Sequence, residues 1–138
     1  MVGVVVITHC DLAKELLRVA SLIVGDDRAL EGMEALSVQV SEMNEDLRKR
    51  IASAVRKADR GQGVLILTDM FGGTPSNLSL SFLKEGEVEV VTGVNLPMMV
   101  ALANYRGGKS LQELAQFITS YGRKHINLAN EILQKRSS

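Results

Sequence analysis

The chain has 138 residues, 46% hydrophobic and 23% charged, an ordinary balance for a soluble globular protein with a buried core. Lys plus Arg equals Asp plus Glu at 16 each, and Trp is absent, so neither net charge nor an aromatic platform draws it to nucleic acid or an acidic membrane. A single cysteine excludes an intrachain disulfide, and no signal-peptide pattern or bilayer-length apolar run is present, which predicts a cytoplasmic protein.

Residues 2–8, VGVVVIT, are apolar without alternation and stop at His9, Cys10 and Asp11. Such a run predicts a strand buried on both faces of a parallel sheet. Leu12, Leu16, Val19, Ala20 and Ile23 recur at helical spacing and predict a helix over 12–24, stopped by Gly25. Residues 34–40 alternate like a shorter strand. Leu47, Ile51, Ala54, Val55 and Ala58 then share one face of a charged surface helix ended by Gly61.

Residues 63–69, GVLILTD, form the second strongly apolar strand, and MFGG follows as a loop. Thr74 is placed to cap the next helix, with Pro75 at its first position. VEVVT, 88–92, is another strand and GVNLP a loop. MMVALANY, 98–105, is a short helix stopped by Gly107 and Gly108, and Ser110 caps a helix that runs to Gly122. The tail is open: His125, Ile126, Asn127 and Leu128 fit a short strand or a continued helix. No repeat, low-complexity segment or linker divides the chain, so one domain over 1–138 is expected.

Strands alternating with helices predict an α/β fold with a mainly parallel sheet of order 2-1-3-4 and helices on both faces. Strands 1 and 3 are then neighbours whose connections leave in opposite directions, and ligands bind where such a crevice opens. The residues at its lips are His9 and Asp69. A carboxylate that accepts from one ring nitrogen fixes the tautomer and leaves the other as nucleophile or base. The helices starting near Asp11 and Pro75 aim their N-termini at the crevice, and Gly72, Gly73 and Thr74 add backbone donors and a hydroxyl. Together these features suit a phosphoryl group carried on the imidazole. No metal-ligand cluster or cofactor motif accompanies them.

Plainer roles stand beside these. His9 fits a polar strand terminator, Asp69 a loop cap, Gly72 and Gly73 a tight turn, and Thr74 a helix cap. Met70 and Phe71 suit either the core or an apolar docking surface. Cys10 beside His9 has the composition of a dyad, but adjacent residues leaving a strand diverge. His125 sits in a basic tail and fits a surface role.

Three segments, VVVITHCDLAKELL, GVLILTDMFGGTPSN and VVTGVNLPMMVAL, resemble in order and spacing the IIA component of mannose-type (mannose/fructose/sorbose) permeases of the bacterial phosphoenolpyruvate-dependent sugar phosphotransferase system. The resemblance extends to about residue 128. It implies that His9 is the transiently phosphorylated histidine and Asp69 the carboxylate that orients it. Phe71 falls where the family has an aromatic beside the site, and Thr74 where it has a Ser or Thr near the phosphoryl group. It implies phospho-HPr as donor, a IIB subunit as acceptor, membrane permease subunits as indirect partners, and no cofactor. It further implies a homodimer with an antiparallel edge strand exchanged near the C-terminus, a part the stretch from His125 to Leu128 could play. The family often has Gly after the active histidine, where this chain has Cys10. Some relatives continue into a fused IIB domain, so the ending LQKRSS leads to the expectation of a separate IIB.

Competing readings differ in chemistry. A receiver-type domain would use Asp69 as phosphoacceptor, but it needs an acidic pair after the first strand and only Asp11 is near. The relative serving dihydroxyacetone phosphorylation shares a strand-histidine pattern but matches FGGTPSN and GVNLPMM poorly. GGTPSN lacks the Gly-Lys-Ser/Thr of a P-loop. A regulatory binding module phosphorylated at His9, without onward transfer, remains the alternative from another class.

Overall fold

The computed structural model describes residues 1–39 and 41–137, and the side chains of the last two of these are not described. The elements run β1 (Gly3–His9), α1 (Leu12–Val24), a 3-10 turn (Asp27–Leu30), β2 (Met33–Val38), α2 (Asn44–Ala58), β3 (Val64–Thr68), α3 (Thr74–Leu80), β4 (Val88–Thr92), α4 (Leu96–Tyr105), α5 (Leu111–Lys124) and α6 (Ala129–Ser137). The four strands form one parallel sheet of order β2-β1-β3-β4, as the alternation predicts.

β1 and β3 are central because their side chains are apolar on both faces: Val4, Val5, Val6, Ile7, Leu65, Ile66 and Leu67 are all fully buried. Val4, Val6, Leu65 and Leu67 pack with α1, α4 and α5, while Val5, Ile7, Val64 and Ile66 pack with α2 and α3. Two apolar layers therefore sandwich the sheet between helices, and truncating a fully buried Leu or Ile in either layer costs about 2–5 kcal/mol.

Helix ends follow local chemistry where the sequence supplies it. Gly25 ends α1 in the left-handed region, its N–H donating to Ser21 O. Glu45 and Asp46 open α2 and Arg56 and Lys57 close it, matching the helix dipole. Ser110 and Glu113 form a reciprocal capping box at the start of α5.

Several boundaries differ from the sequence expectation. α4 begins at Leu96, two residues early, because the Asn95 side chain accepts from Met98 N–H and Pro97 is tolerated in a first turn. α5 does not stop at Gly122. That glycine stays helical because α4 packs against it so closely that a Cβ would lie 2.5 Å from Met98 Sδ. α2 ends at Ala58, before Gly61. The second strand ends at Val38, two residues short of the expected Val40, which lies outside the described residues. The 3-10 turn over Asp27–Leu30 was not expected; Asp26 Oδ1 accepts from Arg28 N–H and starts it. Residues 126–128 form neither strand nor helix in the single chain and connect α5 to α6, so the suggested antiparallel edge strand is not present there. Strand structure in that stretch would need a partner for its backbone groups, which the chain's own sheet does not supply.

Candidate active site

His9 and Asp69 meet at the C-terminal lip of the sheet. The register sets this distance: Ile7 lies opposite Thr68, so Asp69 is level with Thr8 and one residue short of His9. The His9 Nδ1 lies 2.7 Å from Asp69 Oδ2, and the His9 backbone N–H donates to the same oxygen at 2.9 Å. Asp69 Oδ1 accepts from Met70 N–H at 3.0 Å. Both carboxylate oxygens are thus engaged, one of them by the histidine's own main chain as well as its ring.

Burial pushes the Asp69 carboxyl up, but hydrogen bonds from the His9 backbone and ring and the field of the imidazole outweigh it, so its pKa lies below the usual value of 3.8. Asp69 is therefore ionised near neutral pH and can only accept. In neutral His9 the ring proton is held on Nδ1 and the lone pair sits on Nε2. The His9 side chain is 47% exposed and that of Asp69 13%, so the imidazole reaches solvent while the carboxylate is largely sheltered.

Glycine lets the ring approach the chain closely. Period-two alternation puts His9 on the face of Val5 and Ile7, the face covered by α3, and its imidazole presses on the residue before that helix. A Cβ at Gly73 would lie 2.9 Å from His9 Cε1 and 3.4 Å from Nε2. Gly73, not Thr74, is the N-cap of α3, and Thr74 is the first helical residue with Pro75 second. Gly72 has φ +89° and its carbonyl accepts from Asn77 Nδ2 at 3.4 Å.

A cavity of about 260 Å³ opens at the ring, with His9, Cys10 and Thr74 on one side and Gln39, Glu42 and Asn44 on the other. Of the residues singled out by sequence, His9, Asp69, Gly73 and Thr74 are brought together. Gly72 sits in the adjoining turn. Met70 and Phe71 stand out beside it, 57% and 73% exposed, rather than folding into the core. Cys10 is exposed, and it lines the same cavity as His9 instead of diverging from it. Its φ of 52° is the only positive value among described non-glycine residues, so the position has the geometry that favours glycine. His125 is on the surface as expected, stacked on Tyr121 at 3.8 Å.

Other contributors were not anticipated. Glu42 is held in the cavity wall by Arg50, whose Nη1 donates to both carboxylate oxygens at 2.6 and 2.8 Å and to Ser37 O at 3.1 Å. Ser37 Oγ donates to Asp11 Oδ1 at 3.2 Å. One N–H at the N-terminus of α1 is taken within the chain: Thr8 Oγ1 accepts the Ala13 N–H at 2.7 Å. A threonine at the end of an apolar strand is the only sequence signal for this contact. Among the described residues no group of three His, Cys, Asp or Glu side chains is placed to hold a metal.

A parallel α/β domain with an aspartate-oriented imidazole at its switch point is the class of protein that fold and geometry define. Residues 3–119 match the family model EIIA-man, described as PTS system fructose IIA component, and the chain belongs to that family. It is 26% identical over 136 residues, 98% of this chain and 91% of the relative, to the PTS system fructose-specific EIIA component of Bacillus subtilis. It is 30% identical over 127 residues to the PTS system mannose-specific EIIAB component of Escherichia coli, covering 91% of this chain but only 38% of that longer relative. The crystal structure of the PTS IIA protein associated with the fucose utilization operon from Streptococcus pneumoniae superimposes with a TM-score of 0.79 at 27% identity, over 94% of this chain and 95% of the other.

Proposed function

We propose that this chain acts as a single IIA domain over residues 1–138, a cytoplasmic phosphocarrier that takes a phosphoryl group from phospho-HPr onto His9 and passes it to a IIB subunit for sugar uptake and phosphorylation. The observation that carries this reading is the Asp69 contact to Nδ1, which leaves the Nε2 lone pair free on a half-exposed ring that lies against Gly73. The Nε2 lone pair forms the new bond to phosphorus as the bond from phosphorus to the donor breaks. Asp69 stabilises the positive charge that then develops on the ring. Gly72, Gly73 and Thr74 surround the transferred group, with the absence of a side chain at Gly73 letting the imidazole lie against the chain and the Thr74 hydroxyl available as donor. Met70 and Phe71 supply apolar area on which donor and acceptor dock in turn. No helix among the described residues is long and apolar enough to cross a membrane, which fits a role alongside permease subunits rather than within them. The protein works as a homodimer in this reading.

The test is transfer from phosphoenolpyruvate through enzyme I and HPr, followed by chase onto a IIB subunit. Wild-type protein is expected to accept and release the phosphoryl group. His9→Ala is expected to accept none, while folding as the wild type does, because the side chain lies at a strand tip outside the core. Acceptance by His9→Ala would sink the assignment. Acceptance by wild type with no passage to any IIB would favour a regulatory, phosphorylation-dependent binding module.

A further inference from the structure

Only Cys10 and Asp11 separate the strand that ends in His9 from α1. Cys10 is in the left-handed region, and its N–H donates to Val38 O at 2.9 Å. Asp11 stands at the N-cap position but makes no side-chain cap; its carboxylate accepts from Ser37 Oγ instead. The missing cap is supplied from the strand. Thr8, fully buried, turns its Oγ1 onto the N–H of Ala13 at 2.7 Å and so closes a loop of chain that contains His9.

Burial gives this bond its leverage. Water cannot replace Thr8 Oγ1 at a fully buried site, so losing the acceptor leaves the Ala13 N–H to find another partner by moving the turn. The turn carries His9, whose backbone N–H and ring nitrogen share one oxygen of Asp69, and a shift of the main chain strains both bonds together. Phosphoryl transfer depends on where the nucleophilic atom stands.

We propose that Thr8 is a positioning residue for phosphoryl transfer, its hydroxyl holding the His9 backbone where Nδ1 reaches Asp69 and Nε2 faces the acceptor side. This rests on the reading of His9 as phosphoryl acceptor. Thr8→Val keeps the shape and removes the acceptor; Thr8→Ser keeps the acceptor.

The readout that does not need turnover is the ¹⁵N spectrum of the unphosphorylated His9 ring. Wild type and Thr8→Ser are expected to show a single tautomer with the proton on Nδ1. Thr8→Val is expected to show mixed tautomers, together with a turnover number for phosphoryl acceptance lower by about tenfold at unchanged KM for phospho-HPr. Full or near-full rate in Thr8→Ser completes the expected pattern. A Thr8→Val protein with the wild-type tautomer and rate overturns the proposal. So does one whose only change is a lower melting temperature, since that is a purely structural cap. If the wild-type protein accepts no phosphoryl group while its ring tautomer still depends on the Thr8 hydroxyl, the phosphocarrier reading falls and the positioning contact stands.

Discussion

The two ends of the sheet use their charged groups in opposite ways. At the C-terminal end, His9 is half exposed, and its partner Asp69 is tied to it by ring and main chain. At the other end Arg106 is 2% exposed and donates to the carbonyls of Val2, Ala29 and Glu31, joining α4 to the first strand and the 3-10 turn. Burial and the nearby Arg60 push the Arg106 guanidinium below its usual pKa, with Glu31 opposing. One end is sealed by a charge whose donors are mostly satisfied inside the protein. The other leaves a half-exposed imidazole at the surface. Stability and chemistry are therefore expected to separate along the strand axis.

The sharpest way to break that separation is Arg106→Ala. A buried guanidinium is lost and three carbonyls, that of buried Val2 among them, lose their donor, so unfolding free energy should fall by about 3 kcal/mol in denaturant titration, with phosphoryl acceptance per folded molecule unchanged. A loss of acceptance beyond the loss of folded protein would join the two ends.

Asp69→Ala should do the reverse, slowing acceptance by about a hundredfold in rapid-quench assays while the protein stays folded, since in the proposed reaction the carboxylate orients the ring without bonding to phosphorus. The same carboxylate has a pH signature. Its pKa is lowered on folding, so the stability it contributes is present above about 3.8 and is lost as pH falls through the lower folded value.

Gly73→Ala sharpens the comparison within the site. Its Cβ would meet the His9 ring at 2.9 Å and press the ring out of its place against Asp69. Acceptance should fall by about tenfold with little change in melting temperature. The smallest effect is expected from Cys10→Gly, which relieves a left-handed backbone at an exposed position. It should stabilise the protein by about 1 kcal/mol in denaturant titration, and an unchanged or lower midpoint would show that the strain is absent.

Much of this was legible from the sequence, and the reason is the same at both central strands. Unbroken β-branched and aliphatic runs at 2–8 and 63–69 have no polar face, so they belong at the centre of a parallel sheet. Their tips then fall at the switch point, which is how His9 and Asp69 could be paired across sixty positions. What stayed illegible depends on tertiary contact. Gly122 has the character of a helix stop until Met98 is seen against it. Thr74 looks like a cap until Gly73 is found to yield its side-chain space to the imidazole. Thr8 belongs to a strand by composition, yet its hydroxyl serves the next helix. The pattern of residues 125–128 fits a short strand or a continued helix, and backbone pairing, not composition, decides whether a strand forms.

The most direct test of the central claim is to phosphorylate the ¹⁵N-histidine-labelled protein through enzyme I and HPr and identify the phosphorylated atom by ³¹P–¹⁵N coupling under alkaline conditions. Phosphorus bonded to Nε2 of His9, with Nδ1 still protonated against Asp69, is the predicted result. Phosphorus on Nδ1, on a carboxylate or on His125 would contradict it.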